Sequence, residues 1–212
     1  MSSPSETDLE AATIAFYRER PQDFERIEPE GFPWELGDAI LRSRNLMGDD
    51  PLLLDAGCGG GRFAEYVKQF GIQRYIGVDI SEGLIAIARE RYPNSDFRVG
   101  DIHSLCLNVL EQCDTFIACA SLNHISRSRM DSALCSIRSV LRPGAVGFIS
   151  TPLGTETFVV PTDRLPGVAP GYNILMVQWT PETLEPHLNR AGFEIMDAHE
   201  VGPAQLFTVQ TL

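Results

Sequence analysis

The stretch LLLDAGCGGGRF, Leu52 to Phe63, sets four glycines into five positions directly after a leucine run that ends in Asp55. Glycine is what a chain uses where a side chain would obstruct a close approach to the backbone. A short apolar run leading into such a loop reads as a buried strand whose end faces a ligand. Three ligand classes use loops of this kind: a phosphate, a dinucleotide, or a different nucleoside cofactor. A dinucleotide fingerprint needs a third small residue where this chain has Arg62, and a phosphate-binding Walker loop needs G-K-[ST], which does not occur here. What stands in the sequence is G-x-G-x-G, at Gly57, Gly59 and Gly61.

Outward from this loop, short apolar runs alternate with amphipathic segments. RYIGVDI, SDFRVGDI, CDTFIACA and AVGFIST read as strands, and RFAEYVKQF, EGLIAIARERY and RMDSALCSIRSVL as helices. The alternation predicts an α/β fold of βαβ units, a doubly wound, mostly parallel sheet with helices on both faces. Only HSLCLNVLEQ separates the third and fourth strands, so a short helix is expected there. A final helix, PETLEPHLNRA, precedes two closing strands, GFEIMDAHEV and QLFTVQTL. Between them and the fifth strand, residues 152–178 are rich in Pro and Gly and show no period, which predicts an irregular insertion serving as an acceptor lid. Upstream, residues 1–48 read as a helical extension or cap on the main domain of residues 49–212. Thr7 and Glu10 fit a capping box, and Pro33 suits the first turn of a second helix.

Asp79 falls 20 residues after Gly59 at the end of the second strand, where a carboxylate can accept hydrogen bonds from two ribose hydroxyls. Asp101 ends the third strand beside Ile102, placed to meet an adenine amino group. Three consecutive strands therefore each end in an aspartate at the edge that carries the glycine loop.

The bulk properties narrow the function further. The chain has 212 residues and a net charge of −12, of which residues 1–50 hold 12 acids against 5 Lys or Arg. Such a surface disfavours nucleic-acid partners, whose binding relies on basic side chains. No apolar run reaches the roughly 18 residues of a membrane span, and the acidic start is unlike a targeting segment, so a cytoplasmic protein without a membrane partner is expected. The five cysteines, at 58, 106, 113, 119 and 135, form no CxxC pair. They read as reduced, mostly buried thiols, with no metal expected.

Taken in order, LLLDAGCGGGRF, GVDIS, GDI, CDTFIACASLNHI and LRPGAVGFIST resemble five motifs of the class I S-adenosylmethionine-dependent methyltransferases, across residues 51–211. The resemblance implies their Rossmann-like fold, a seven-stranded sheet with an antiparallel last strand, and S-adenosylmethionine as cofactor with S-adenosylhomocysteine as product. By position, Gly57, Cys58, Gly59 and Gly61 would cradle the methionine part and Asp55 would orient its ammonium group, directly or through water. Asp79 would take the ribose, Ile80 and Ile102 the adenine faces, Asp101 its amino group, and Cys119 the methionine or ribose side. AFYRERPQDFE resembles the leading helix that folds over the cofactor, with Tyr17 and Phe24 closing the pocket.

Methyl transfer is an in-line displacement, so positioning in a dry pocket supplies much of the catalysis, and a base is needed only where the acceptor must lose a proton. His124 and Tyr17 are the candidate catalytic groups, and Tyr17, His124 and Tyr172 the candidate acceptor-binding groups. Phe158, Leu165, Tyr172, Leu175, Met176 and Trp179 would give the lid an apolar inner face. An O or N atom of a small molecule is the expected acceptor, on a monomer or homodimer. A protein acceptor and a non-catalytic cofactor-binding regulatory subunit are the alternatives.

Overall fold

The computed structural model describes residues 4–27 and 34–212, so the helix start expected at Pro33 lies outside the described residues. The order of elements is α1 (Glu6–Glu19), α2 (Pro21–Ile27), α3 (Trp34–Ser43), β1 (Leu52–Ala56), α4 (Phe63–Tyr66), β2 (Arg74–Asp79), α5 (Glu82–Arg91), β3 (Asp96–Val99), β4 (Cys113–Cys119), α6 (Met130–Ser139), β5 (Leu141–Pro152), β6 (Thr157–Pro161), β7 (Asn173–Val177), α7 (Pro181–Arg190), β8 (Phe193–Val201) and β9 (Ala204–Thr211). A seven-stranded sheet runs in the order β3-β2-β1-β4-β5-β9-β8, with β9 alone running opposite to the other six strands. This is the Rossmann-like architecture expected from the alternation. The expected short helix between β3 and β4 is a 3-10 segment, Ile102–Leu107.

Every residue of β1 is buried, as a central strand covered on both faces requires. The side chains divide with period two. Leu52, Leu54 and Ala56 join a core with Leu134, Ile137, Leu184 and Leu188 from α6 and α7. Leu53 joins the opposite core with Leu36, Ile40 and Ile85 from α3 and α5. Parallel registers such as Asp79↔Val99 and Asp55↔Ile117 then bring the carboxyl ends of β1 to β4 to one edge.

Two expectations change in the structure. The cap of α1 is Ser5 with Asp8 rather than Thr7 with Glu10: Asp8 N donates to Ser5 Oγ (3.2 Å), and Ser5 N donates back to Asp8 Oδ2 (3.0 Å). Glu10 is buried instead, accepting from Ser126 N (2.9 Å), Ser126 Oγ (2.7 Å) and Arg129 (2.7 Å), with His103 Nε2 at 3.3 Å. Burial alone would raise its carboxyl, but the bonds from His103 and Ser126 and the charge of Arg129 hold it below the ordinary value. Residues 152–178 are irregular only in part, because β6 and β7 pair in an antiparallel two-stranded sheet, Thr157↔Val177 to Pro161↔Asn173, joined by residues 162–172. Most of the cysteines are buried, as expected: Cys58, Cys113 and Cys119, with Cys106 and Cys135 exposed.

Helix α1 lies across the carboxyl edge, pinned from both sides. Glu6 accepts from Arg127 N (2.9 Å) and Thr157 Oγ1 (2.8 Å), Thr13 Oγ1 accepts from Leu175 N (2.8 Å), and Ser81 Oγ donates to the Tyr17 carbonyl (2.6 Å). Among the described residues no helix is long and apolar enough to cross a membrane.

Candidate functional site

Two joined cavities open at this edge. The smaller, about 100 Å³, is lined by Asp79, Ile80, Asp101 and Ile102 below and by Glu10, Thr13 and Ile14 of α1 above. The larger, about 770 Å³, reaches from Cys58 and Cys119 to the inner face of the β6–β7 hairpin and the β8–β9 turn. Tyr17, Phe24, Gly57, Gly59, Ala120 and His124 line both.

The glycine loop is held by β2. The Gly57 and Cys58 amides donate to the Val78 carbonyl (2.8 and 3.1 Å). The Gly59 amide donates to Asp79 Oδ2 (2.9 Å), while Asp79 Oδ1 accepts from the Ser81 amide (2.9 Å). Asp79 is thus anchored by the backbone on both oxygens, with further lone pairs available to a ligand's hydroxyls. Burial raises its carboxyl above the ordinary value, against the amide bonds that favour the anion. Asp101 caps the following 3-10 turn by accepting from His103 N (2.9 Å). Ile80 and Ile102 give the same cavity apolar faces suited to a planar ring.

Not every expected residue reaches the cavities. Asp55 lines neither: it shares the face of Leu53, so period two turns its carboxylate into the core, where it accepts from Tyr75 Oη (2.6 Å). Gly61 lines neither; a Cβ there would lie 2.6 Å from the Phe97 ring and 3.1 Å from Ala88, so this glycine serves loop packing. Tyr172 lines neither, because its hydroxyl donates to Glu19 Oε2 (2.7 Å) and its ring packs edge-on against Phe16. Of the six expected lid residues, Leu165 and Met176 line the larger cavity; Leu175 and Trp179 are core residues, and Phe158 is 40% exposed. His103 sits on the 3-10 segment between Glu10 and Ser132 Oγ (3.2 Å).

Ala120 was not legible in the sequence. It follows β4 in left-handed backbone geometry, φ 55°, which costs a non-glycine residue about 1 kcal/mol or more and is characteristic of functional sites. An alanine gives no signal of such a conformation.

Tyr17 and His124 meet where the cavities join, with Tyr17 Oη 2.7 Å from His124 Nε2. His124 Nδ1 lies 2.8 Å from the Leu175 carbonyl, which can only accept, so the proton sits on Nδ1 and Nε2 accepts from Tyr17. Burial pushes His124 down to about 4, despite the carbonyl bond. Burial and the charge of Asp79 push the Tyr17 phenol upward, and burial pushes Cys119 up to about 12. The pair is neutral near pH 7.

The unfolded chain protonates this imidazole below about pH 6.5, whereas the folded protein resists until about 4, so stability is lost as pH falls between those values. His124→Asn is expected to remove about 2 kcal/mol of this pH dependence, read as a smaller difference in urea unfolding between pH 7 and 4.5 than in the wild type. An identical difference in both proteins would show that His124 is not the group responsible.

Among the described residues no cluster of three or more His, Cys, Asp or Glu is arranged to hold a metal ion.

A family model described as a methyltransferase domain matches residues 54–149. A probable S-adenosylmethionine-dependent methyltransferase of Mycolicibacterium smegmatis is 34% identical over 100 residues, 47% of this chain and 37% of that protein. The N-demethylindolmycin N-methyltransferase of Streptomyces griseus is 29% identical over 147 residues, 66% of this chain and 60% of that protein. The chain thus spans less than two-thirds of the length of each. Among solved structures, the 1,6-didemethyltoxoflavin-N1-methyltransferase of Burkholderia thailandensis, with bound 1,6-didemethyltoxoflavin and S-adenosylhomocysteine, superposes with a TM-score of 0.74 at 18% identity, over 100% of this chain and 92% of that one.

Proposed function

Because the chain belongs to the class I S-adenosylmethionine-dependent methyltransferase family, we propose that it transfers a methyl group from S-adenosylmethionine to an O or N atom of a small molecule in the cytoplasm. One observation carries this reading: a glycine loop held by the half-buried Asp79 lines a small cavity that shares Tyr17, Phe24, Gly57, Gly59, Ala120 and His124 with a larger, largely apolar one. The residues present fit the cofactor. Gly57 and Gly59 line both cavities with bare backbone, a Cβ at Gly57 being blocked by the Ser121 side chain and one at Gly59 standing 3.0 Å from the Phe24 ring, and Asp79 and Asp101 offer acceptors to ribose hydroxyls and an adenine amino group between Ile80 and Ile102. Gly57, Cys58, Gly59 and Cys119 would border the methionine part, and Asp55 acts behind the loop as a positioning residue through Tyr75. S-adenosylmethionine, when bound, supplies an activated sulfonium methyl group.

The protein's own contribution is orientation and exclusion of water. Helix α1 serves as the cap, with Tyr17 and Phe24 over the junction of the cavities, and the β6–β7 hairpin walls the acceptor side. His124 holds Tyr17 in place, since its Nε2 is already occupied and its low basicity makes it a poor proton acceptor near pH 7. Small-molecule methylation by the Streptomyces relative supports an acceptor of that size, and the net charge of −12 disfavours nucleic acid.

Calorimetry with S-adenosylhomocysteine tests the cofactor, and transfer of labelled methyl to a panel of small hydroxyl and amine compounds tests the enzyme. Binding without transfer to any of them would favour a regulatory role. Tyr17→Phe is expected to lower kcat/KM by about tenfold through lost positioning, while the wild-type kcat profile lacks an ascending limb near pH 6.5. Such a limb, abolished in His124→Asn, would make His124 a general base instead.

A further inference from the structure

Four buried side-chain atoms among the described residues have no hydrogen-bond partner: Ser95 Oγ, Trp179 Nε1, Asn123 Oδ1 and Thr151 Oγ1. The last two belong to residues lining the larger cavity, each 2% exposed. Burying a polar atom without a partner is costly, and native proteins pair nearly all of them, so two in one cavity call for an explanation. The orientation of the Asn123 amide is fixed by its surroundings. Its Nδ2 faces Met176 Sδ (3.6 Å) and His124 Nε2 (3.2 Å), and a turned amide would set an oxygen against a nitrogen that already accepts from Tyr17. Asn123 Oδ1 therefore presents a lone acceptor, while the Thr151 hydroxyl can donate or accept.

The rest of the wall is largely apolar, with Val160, Leu165, Ile174 and Met176 from the hairpin side. Among the described residues its two ionised side chains, Glu35 and Arg62, are opposite in sign, and the Arg62 guanidinium lies 4.9 Å over the Phe63 ring. The described residues of the wall supply no excess of positive charge to hold a carboxylate. We propose that Asn123 and Thr151 select the methyl acceptor, and that this acceptor is an uncharged, largely apolar molecule whose N–H or O–H donates to Asn123 Oδ1. The proposal rests on the methyltransferase reading and adds the acceptor's chemical class and the residues that recognise it.

The test uses the full chain saturated with S-adenosylhomocysteine, titrated with matched probes by ligand-observed NMR. Phenol and indole carry the donor, anisole and N-methylindole lack it, and benzoate adds a charge. The donor-bearing probes are expected to bind at least tenfold more tightly than their methylated partners and than benzoate. Asn123→Leu should erase that preference with S-adenosylhomocysteine affinity unchanged. Thr151→Val should weaken the donor-bearing probes several-fold while raising the melting temperature of the free protein, because it removes an unpaired hydroxyl. Tighter benzoate binding, the same preference in Asn123→Leu, or no donor preference at all, whether every probe binds equally or none binds, would overturn the proposal alone. Failure of S-adenosylhomocysteine to bind the wild type would overturn the cofactor reading and this proposal with it.

Discussion

Asp79→Ala is expected to weaken S-adenosylmethionine binding at least tenfold. The carboxylate is half-buried and accepts from Gly59 N and Ser81 N, one on each oxygen. Removing it takes away a charged acceptor for two hydroxyls and leaves two amides unpaired beside the cavity, worth about 1.5–3 kcal/mol, or about 10- to 150-fold in affinity. Asp79→Asn separates the contributions. An amide keeps one acceptor but turns an NH2 toward either Gly59 or Ser81, so binding should remain impaired with a smaller loss of thermal stability than in the alanine variant. Calorimetry on both variants gives the answer, and unchanged affinity in Asp79→Ala would remove the ribose assignment.

The features legible in the sequence were those governed by local chemistry at the sheet edge. Buried parallel strands are continuous apolar runs, and each run before β1, β2 and β3 ends is punctuated by Gly or Asp, so the edge that gathers Gly59, Asp79 and Asp101 could be read directly. What could not be read depends on contacts distant in sequence. Thr7/Glu10 and Ser5/Asp8 both match the capping pattern, and the choice falls to Ser5 because Glu10 is taken by Ser126 and Arg129, more than a hundred residues away. The pairing of β6 with β7 was hidden because the residues joining them, 162–172, are far longer than a hairpin turn and carry the Pro and Gly that dominate the segment's composition. Tyr172 and Asp55 were assigned by residue type, yet each is claimed by a neighbour: Glu19 for the phenol, and Tyr75 for the carboxylate that period two directs into the core. Asn123 and Thr151 fall inside the fourth and fifth motif stretches, but nothing in those stretches marks either residue out. Their importance lies in lacking a partner, which only the assembled cavity reveals.

Gly59→Val is expected to reduce S-adenosylmethionine affinity by more than a hundredfold while the domain still folds. Gly59 has φ +52°, and a Cβ built on it would stand 3.0 Å from the Phe24 ring. A β-branched residue resists the left-handed region, so the loop must either accept that strain or rotate its amide away from Asp79 Oδ2, and both outcomes disturb the wall shared by the two cavities. Gly61→Ala provides the contrast. Its Cβ would collide with Phe97 at 2.6 Å in the core behind the loop, so its loss should register first as a lower melting temperature, with affinity falling less than in Gly59→Val. Comparing calorimetry with thermal unfolding for the two variants separates a residue that faces the ligand from one that packs the loop. Normal binding by Gly59→Val would mean that the cofactor lies elsewhere. A lower melting temperature in Gly59→Val than in Gly61→Ala would reverse the roles assigned to the two glycines.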